Sequence, residues 1–458
     1  MISIMAETKK TSLKLHFIAI GGKVMHNLAL AMSDKWHKVT GSDDEIYEPS
    51  LSRLDAAGIL PTKMGWYTDN ITKDLDYVIL GMHAKADNPE LLRAQELSLR
   101  IMSFPEFIYE QSKDKQRIVI AGSHGKTTTS AMIAHALESC DKDFDYVVGA
   151  QLPGFDRMVK LTDAPIIIIE GDEYLSSAID RRPKMLLYKA TTAVITGIAW
   201  DHINVFPTYE GYVDQFRQFL KEMSAEGKVF YYGQDSGLKK LINEKNTKSR
   251  CIPYNEVELG EDRSISLGTA NYNMQLIGSH NYQNMKAAQR ICNDLGISGK
   301  QFFRAMSAFI GADKRLEFIK NKKDRAVLID YAHAPSKVEA TVKAVKMHWP
   351  KRTLIAVLEL HTFSSLNKEF IPHYRHAFDP ADVAVLYYSP QTLKMKNMPD
   401  ISYEWLAQQI AHPKLKIFTE KDELVKYLSG VNYKNTNLLM MTSGTFDGFN
   451  LSKDGVKV

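Results

Sequence analysis

A short glycine-rich segment between an apolar strand and a helical pattern constrains this chain more than any other feature. Residues 121–128 have the sequence AGSHGKTT, begin at the end of the predicted strand Arg117–Ala121 and precede the helical pattern Ser130–Leu137. Glycines let several backbone N–H groups point inward around a phosphate, while the helix N-terminus adds partial positive charge and Lys126 reaches the β- and γ-phosphates. The Thr127 hydroxyl can bind Mg²⁺. The segment predicts a nucleotide-binding loop in an α/β domain, shortened because its glycines are only three residues apart.

Strand and helix patterns alternate along the whole chain of 458 residues. Such alternation predicts α/β domains with parallel sheets, and the length suits three of them. Polar or charged stretches at 111–116 and 320–325 indicate the boundaries. We therefore predict domains at residues 1–114, 115–320 and 321–458.

Composition argues against several other classes of protein. The net charge of +4 is small for this length and predicts neither nucleic-acid nor membrane binding, although it suits anionic substrates. Cys140, Cys251 and Cys292 lie far apart, without the spacing of a zinc site or a disulfide framework. No apolar run approaches the roughly 18 to 20 residues of a membrane span. We expect a cytoplasmic protein that is a monomer or a weak dimer.

Side chains at strand ends are the candidate metal ligands. The apolar run Ile166–Ile169 ends in Glu170, and a carboxylate at the end of a parallel strand faces the crevice where ligands bind. Mg²⁺ prefers such oxygen ligands, so Glu170 is the leading candidate. Asp172 and Glu173 are consistent with solvated loop charges. His202, which follows Asp201 near another strand end, is the second candidate ligand.

Taken together, these motifs resemble those of the Mur ligases, ATP-dependent enzymes that build the peptidoglycan precursor. The resemblance covers nearly the whole chain and includes segments 278–284 (GSHNYQN), 311–315 (GADKR) and 330–335 (DYAHAP). It implies that Asn281 lies beside adenine and that Arg315 meets the terminal phosphate. The residues it assigns to ATP are Gly122, Ser123, His124, Gly125, Lys126, Thr127, Thr128, Asn281, Arg315 and Asp330; to Mg²⁺, Thr127, Glu170 and His202; and to catalysis, Lys126, His202, Arg315 and His333.

The N-terminal segment narrows the resemblance. Residues 16–22 (HFIAIGG) look like the loop of members that bind UDP-N-acetylmuramate, and a glycine pair after a strand lets the backbone approach a pyrophosphate. The resemblance implies a Rossmann-like N-terminal UDP-binding domain, a central P-loop ATPase-type domain and a Rossmann-like C-terminal domain for the amine substrate. The predicted UDP-sugar contacts are His16, Gly21, Gly22, Asp43 and His83.

The acceptor amine distinguishes two branches of the family that use this sugar nucleotide. One adds L-alanine, and the other, the murein peptide ligases, reattaches the tripeptide L-alanyl-γ-D-glutamyl-meso-diaminopimelate. Segments 170–174 (EGDEY), 180–184, 201–206 and 443–449 resemble the second branch. Residues 360–365 (LHTFSS) lack the arginines that bind the substrate carboxylate in the L-alanine-adding branch. We therefore expect ligation of the tripeptide through an acyl phosphate, in peptidoglycan recycling, with L-alanine ligation as the alternative.

Two further alternatives come from other classes of protein. An ATP-binding regulator without turnover would be expected to lose Lys126, Glu170 or His202, and all three are present. A dehydrogenase could use the glycine pair Gly21–Gly22, but the residues after it lack the remaining glycine of a dinucleotide-binding motif. Both alternatives are therefore less well supported than the ligase.

Overall fold

Three sheets organise the computed structural model, which describes residues 12–152, 154–201, 203, 205–260, 264–451, 453–456 and 458. The prediction of three α/β domains is confirmed. Each sheet is wholly or mainly parallel, and its helices pack against it through buried apolar side chains. Among the described residues, none of the helices has the length and apolar character needed to span a membrane.

The N-terminal domain has a four-stranded parallel sheet in the order β2-β1-β3-β4. Two of its helices have N-terminal caps. The Asn88 side chain accepts hydrogen bonds from two backbone N–H groups of α3, and Ser103 forms a capping box with Glu106 at the start of α4. The elements are β1 (Lys14–Ile18), α1 (Met25–Asp34), β2 (Lys38–Ser42), α2 (Ser50–Ala56), β3 (Tyr77–Leu80), α3 (Pro89–Glu96), β4 (Ile101–Ser103) and α4 (Phe104–Ser112).

The central domain has a seven-stranded sheet in the order β11-β10-β9-β5-β8-β6-β7, parallel except for the β6–β7 pair, and a separate hairpin, β12–β13. The middle strand β5 lies between β9 and β8, so the loops after these three strands meet at one edge of the sheet. The elements are β5 (Gln116–Ala121), α5 (Lys126–Glu138), β6 (Asp145–Val147), β7 (Val159–Lys160), β8 (Ile166–Glu170), α6 (Lys184–Leu187), β9 (Thr192–Ile195), α7 (Tyr209–Glu222), β10 (Lys228–Tyr232), α8 (Ser236–Asn243), β11 (Arg250–Tyr254), β12 (Ser264–Leu267), β13 (Ala270–Asn273), α9 (Ser279–Asp294) and α10 (Gly299–Ala308).

The C-terminal domain has a six-stranded sheet in the order β14-β15-β19-β16-β17-β18, with β14 as an antiparallel edge strand. This edge strand begins at Glu317, four residues before the predicted start of the domain at residue 321. Its last four residues are exposed and mostly charged or polar, which made the strand look like a linker. The elements are β14 (Glu317–Lys322), β15 (Arg325–Asp330), α11 (Pro335–His348), β16 (Thr353–Glu359), α12 (Phe363–Leu366), β17 (Val383–Tyr387), α13 (Pro390–Met395), α14 (Tyr403–Ile410), β18 (Leu415–Phe418), α15 (Lys421–Ser429) and β19 (Thr436–Met441).

Candidate active site

A cavity of about 1370 Å³ lies where the three domains meet. Its walls come from the loop after β1 in the N-terminal domain, the loops after β5, β8 and β9 in the central domain, and the loops after β15, β16 and β19 in the C-terminal domain. Most of the predicted site residues lie on these walls. They are Gly22, His83, Ser123, His124, Gly125, Lys126, Thr127, Thr128, Glu170, Asn281, Arg315, Asp330 and His333.

The loop between β5 and α5 has a backbone that only glycine accommodates at two positions. Gly122 and Gly125 have φ angles of +121° and +76°. A Cβ atom at Gly122 would collide with Thr196, and one at Gly125 would collide with the side chain of Asn284. The helix α5 then begins at Lys126, so the loop and the helix N-terminus face the cavity together.

Lys126 is mostly buried at the end of this loop, as the first residue of α5. Its Nζ donates hydrogen bonds to the Gly122 carbonyl oxygen at 2.7 Å and to Glu173 Oε2 at 2.6 Å. Burial alone would lower the pKa of Lys126, but Glu173 and the nearby carboxylates of Asp172 and Glu170 outweigh it and raise that pKa above its usual value. The ammonium group therefore stays charged inside the cavity wall.

Glu173 is a residue of the candidate site that sequence reasoning missed. Its side chain is fully buried, whereas a solvated loop charge was consistent with its position in the sequence. Besides binding Lys126, it accepts a hydrogen bond from the Tyr212 hydroxyl at 3.1 Å. The only signal in the sequence is its place three residues after Glu170 at the end of β8, and that does not reveal its lysine partner.

The oxygen atoms of Thr127 and Glu170 meet beside the loop. The Thr127 hydroxyl donates to Glu170 Oε1 at 2.8 Å, and Glu170 Oε2 accepts from the Gly149 N–H at 2.8 Å. A hydroxyl and a carboxylate are the hard oxygen ligands that Mg²⁺ takes together with phosphate oxygens and water. These two residues therefore fit a magnesium ion. His202, the other predicted ligand, lies outside the described residues.

Helix α9 supports the loop from the side where adenine was predicted. Asn281 is buried, and its Nδ2 donates to the Ile277 carbonyl oxygen at 2.8 Å. The Gln283 side chain donates to the Thr196 carbonyl oxygen at 2.6 Å. Since Asn284 packs against Gly125, the helix connects the phosphate loop to the end of β9.

The C-terminal domain brings Arg315 and Asp330 to the opposite wall. The Asp330 carboxylate accepts hydrogen bonds of 2.6 Å from the backbone N–H groups of Leu316 and Ala332. Burial raises the pKa of Asp330 to about 6, although Arg315 and these N–H groups act in the other direction. The Arg315 guanidinium lies 4.5 Å from the centre of the Tyr331 ring, a contact that fixes its direction.

The ring of His333 has one nitrogen suited to accept a proton. Its Nδ1 lies 2.8 Å from the Tyr331 carbonyl oxygen, and because a carbonyl oxygen only accepts, Nδ1 carries the hydrogen. In the neutral ring Nε2 is then the basic nitrogen. The Tyr374 hydroxyl donates to the His333 carbonyl oxygen and holds this segment in place.

Two contacts between the central and C-terminal domains were not predicted from the sequence. His124 Nε2 lies 2.6 Å from the Ser336 hydroxyl, and Lys337 Nζ lies 2.9 Å from Asp201 Oδ2. Burial, followed by the charge of Lys337, lowers the pKa of His124 to about 3, so this ring is neutral. Both contacts join α11 to loops of the central domain, and through His124 they reach the phosphate loop itself.

The predicted UDP-sugar residues divide between two places. Gly21, Gly22, Asp43 and His83 line a second cavity of about 610 Å³, which shares Gly22 and His83 with the larger one. The Gly21 N–H donates to Asp43 Oδ2 at 2.7 Å, and burial raises the pKa of Asp43 to about 6.

His16 lies elsewhere, inside the N-terminal sheet. Its side chain is fully buried, with Nδ1 2.9 Å from Thr40 Oγ1 and Nε2 3.3 Å from Glu90 Oε2. Along a strand, successive side chains point to opposite faces, so a position next to a glycine loop does not ensure access to that loop. His16 thus belongs to a buried polar network that joins β1 to β2 and α3, and does not line either cavity.

Three protein-family models match successive parts of the chain, one in each domain. They are the Mur ligase family, catalytic domain, at residues 14–116; the Mur ligase middle domain at 120–292; and the Mur ligase, glutamate ligase domain, at 314–444. A UDP-N-acetylmuramate–L-alanine ligase of Clostridium kluyveri is 30% identical over 456 residues, which cover 94% of this chain and 95% of that one.

Two solved structures share the fold. The UDP-N-acetylmuramate-alanine ligase of Thermotoga maritima superposes with a TM-score of 0.70 at 20% identity, covering 95% of this chain and 97% of the other. The murein peptide ligase of Psychrobacter arcticus 273-4 superposes with a TM-score of 0.68 at 24% identity, covering 98% and 100%. At these identities the two structures support the architecture alone, and their similar scores do not separate the two branches.

The prediction of a tripeptide acceptor is contradicted by the sequence relatives. The C. kluyveri protein, aligned over almost its full length at 30% identity, is an L-alanine ligase. The prediction depended on a few short segments, such as 170–174, and on neutral residues at 360–365, and it did not weigh the similarity of the full chain. Full-length similarity samples all three domains, and it favours the alternative.

The family models cover all three domains, and the relative covers nearly the whole chain. Lys126 and the residues beside it line the cavity where the three domains meet. The chain belongs to the Mur ligase family and is an ATP-dependent ligase that forms amide bonds.

Proposed function

We propose that this protein joins the lactyl carboxylate of UDP-N-acetylmuramate to the amine of L-alanine, with hydrolysis of ATP to ADP and phosphate. The observation that carries the proposal is the full-length similarity to UDP-N-acetylmuramate–L-alanine ligases. The geometry supports the proposal. The main cavity is lined by the phosphate loop and the C-terminal wall, and it adjoins a second cavity suited to a nucleotide sugar.

The first half of the proposed reaction is phosphoryl transfer from ATP to the muramyl carboxylate. The carboxylate oxygen attacks the γ-phosphorus, the bond to the β,γ-bridging oxygen breaks, and an acyl phosphate and ADP result. Lys126 and Arg315 bring positive charge to the phosphates, and the backbone N–H groups of the loop hold them in position. Thr127 and Glu170 would hold Mg²⁺, which would supply further neutralisation of phosphate charge when bound.

The second half is attack of the L-alanine amine on the acyl carbon, with loss of phosphate. The amine must lose a proton, and His333 Nε2 is a basic nitrogen on the C-terminal wall. The contacts His124–Ser336 and Lys337–Asp201 keep this wall against the phosphate loop. Closure of this kind excludes water, which would otherwise hydrolyse the acyl phosphate.

The second cavity is the proposed site of the uridine diphosphate. Gly21 and Gly22 let the backbone approach the pyrophosphate, and Lys23 lines both cavities. His83 also lines both, so the sugar nucleotide can extend from one into the other. Asp43, held by the Gly21 N–H, fixes the shape of this loop.

The function is tested by measuring ADP release with UDP-N-acetylmuramate, ATP and L-alanine together and with each omitted in turn. We expect release only in the complete mixture, with mass spectrometry identifying the alanyl product. The tripeptide L-alanyl-γ-D-glutamyl-meso-diaminopimelate and glycine serve as comparison acceptors. No stimulation by L-alanine would contradict the proposal.

We further propose that one chain carries out the reaction as a monomer. The described residues of one chain supply walls to the cavity from all three domains. Light scattering coupled to size-exclusion chromatography is expected to give a mass near 51.9 kDa under assay conditions. Activity that falls on dilution would contradict this expectation.

A further inference from the structure

Lys396, at the end of α13, is a cavity residue without a role in the reaction described so far. It lies on the C-terminal wall with His361 and Phe363, which follow β16, and with Ser443 and Gly444, which follow β19. We propose that Lys396 binds the carboxylate of the incoming amino acid and so selects a free α-carboxylate beside the reacting amine. This inference rests on the proposed function, because it assigns a residue to its acceptor.

The other cations of the cavity are occupied by carboxylates or gathered at the phosphate end. Lys126, Lys184 and Lys337 bind Glu173, Asp172 and Asp201 at 2.6, 2.9 and 2.9 Å. Lys23 is a neighbour of two further cations, Arg315 and Lys314, and of the carboxylates of Asp313 and Glu170. These three cations therefore lie near the Thr127–Glu170 pair.

Lys396 differs from these cations in what surrounds it. Its Nζ lies 4.4 Å from the centre of the Phe363 ring, and among the described residues no carboxylate comes within ion-pairing distance of it. An ammonium group over an aromatic face is held in position while its hydrogens stay available to an anion. Lys396 is therefore a positioned cation whose counter-ion the described part of the protein does not supply.

The neighbouring polar groups also suit a small anionic ligand. The Ser443 hydroxyl is buried and has no hydrogen-bond partner among the described residues, and it lines the same wall. The nearby carboxylate of Glu359 is buried and already accepts hydrogen bonds from the Thr442 hydroxyl and the Phe446 N–H. A hydroxyl donor and an ammonium group together match a carboxylate, which needs several donors when it leaves water.

This assignment also explains why segment 360–365 misled the prediction of the acceptor. The arginines expected there are absent, but the charge they would provide comes from α13, about thirty residues further along the chain. An ammonium group binds as a point charge and an arginine as a planar fork, so this wall provides the charge without the bidentate geometry.

The test compares Lys396→Met with Lys396→Arg and with Lys394→Met, a control on the same helix that is exposed and lies outside both cavities. Loss of a charge-assisted hydrogen bond raises KM by about 10- to 100-fold. We expect a rise of that size in the KM for L-alanine with Lys396→Met, little change for ATP or UDP-N-acetylmuramate, and substantial recovery with Lys396→Arg. Lys394→Met is expected to match the unmodified protein.

A second measurement requires no variant. L-Alaninamide keeps the amine and loses the carboxylate charge, so its KM with the unmodified protein should exceed that of L-alanine by a similar factor. Equal KM values for the two acceptors, or an unchanged KM for L-alanine in Lys396→Met, would overturn the inference and leave the proposed function standing. Failure of L-alanine to stimulate ADP release in the unmodified protein would overturn both.

Discussion

The phosphate-loop wall and the C-terminal wall of the cavity differ in the partners of their charged side chains. In the first, Lys126 lies 2.6 Å from Glu173, so the loop carries its own counter-charge. In the second, Asp330 is held mainly by backbone N–H groups, and Lys396 lies over an aromatic ring. The phosphate wall thus supplies a counter-charge to its buried lysine, whereas Lys396 on the C-terminal wall has no carboxylate partner among the described residues.

Removing the lysine of the phosphate wall is expected to have the largest effect. Lys126→Met removes the cation that faces the phosphates, and we expect ADP release to fall by about 10³-fold or more. It also leaves Glu173 buried without its partner, which costs about 3 to 5 kcal/mol of stability. Steady-state ADP release and thermal unfolding measure the two effects separately.

The double variant Lys126→Met/Glu173→Gln separates catalysis from folding. Neutralising Glu173 removes the unpaired buried charge, so the melting temperature should recover toward that of the unmodified protein. ADP release should stay as low as in the single variant, because the cation is still missing. Recovery of activity in the double variant would show that Lys126 acts only by supporting the structure.

The carboxylate of the C-terminal wall, Asp330, is expected to produce the next largest effect on stability. The pKa of Asp330 is raised from 3.8 to about 6, which corresponds to about 3 kcal/mol. Because the folded state binds the proton more tightly than the unfolded state, this stabilising contribution is fully present below pH 3.8 and is lost as the pH rises through 6.

The comparison variant for this prediction is Asp330→Asn. It cannot titrate, so the difference in melting temperature between the unmodified protein and Asp330→Asn should favour the variant increasingly from pH 4 to pH 7. Other carboxylates cancel in the difference, since both proteins contain them. A difference that does not change with pH would show that backbone N–H groups and Arg315 fully compensate the charge.

The two walls also differ in how far the sequence predicts them. Gly122 to Thr128 are contiguous across the loop and the start of α5, and Glu170 lies at the end of β8, so local patterns predict the phosphate side. The three-domain α/β fold follows from the alternation of strand and helix patterns, because those patterns reflect burial. Local sequence patterns, however, did not reveal the partner of Lys126, since Glu173 lies 47 positions further along the chain.

The C-terminal wall was harder to predict because its residues come from distant parts of the chain. His333, Phe363, Lys396 and Ser443 follow four different elements and meet only after the sheet has formed. His16 illustrates the opposite error, since it adjoins a glycine loop and yet lies inside the sheet. Contact across a sheet edge depends on strand order, and the sequence does not state that order.

The ion pair between the two walls is expected to have the smallest effect. Lys337→Ala breaks its contact with Asp201, and the lysine side chain is 22% exposed, so solvent screening reduces the loss to about 1 kcal/mol. We expect KM for ATP to rise a few-fold with little change in kcat, because the walls close less tightly over the nucleotide. Lys343→Ala, on an exposed part of the same helix, is the matched control. Since salt screens the pair, the difference between the two variants should shrink as ionic strength rises, and a difference independent of salt would assign the effect to packing instead.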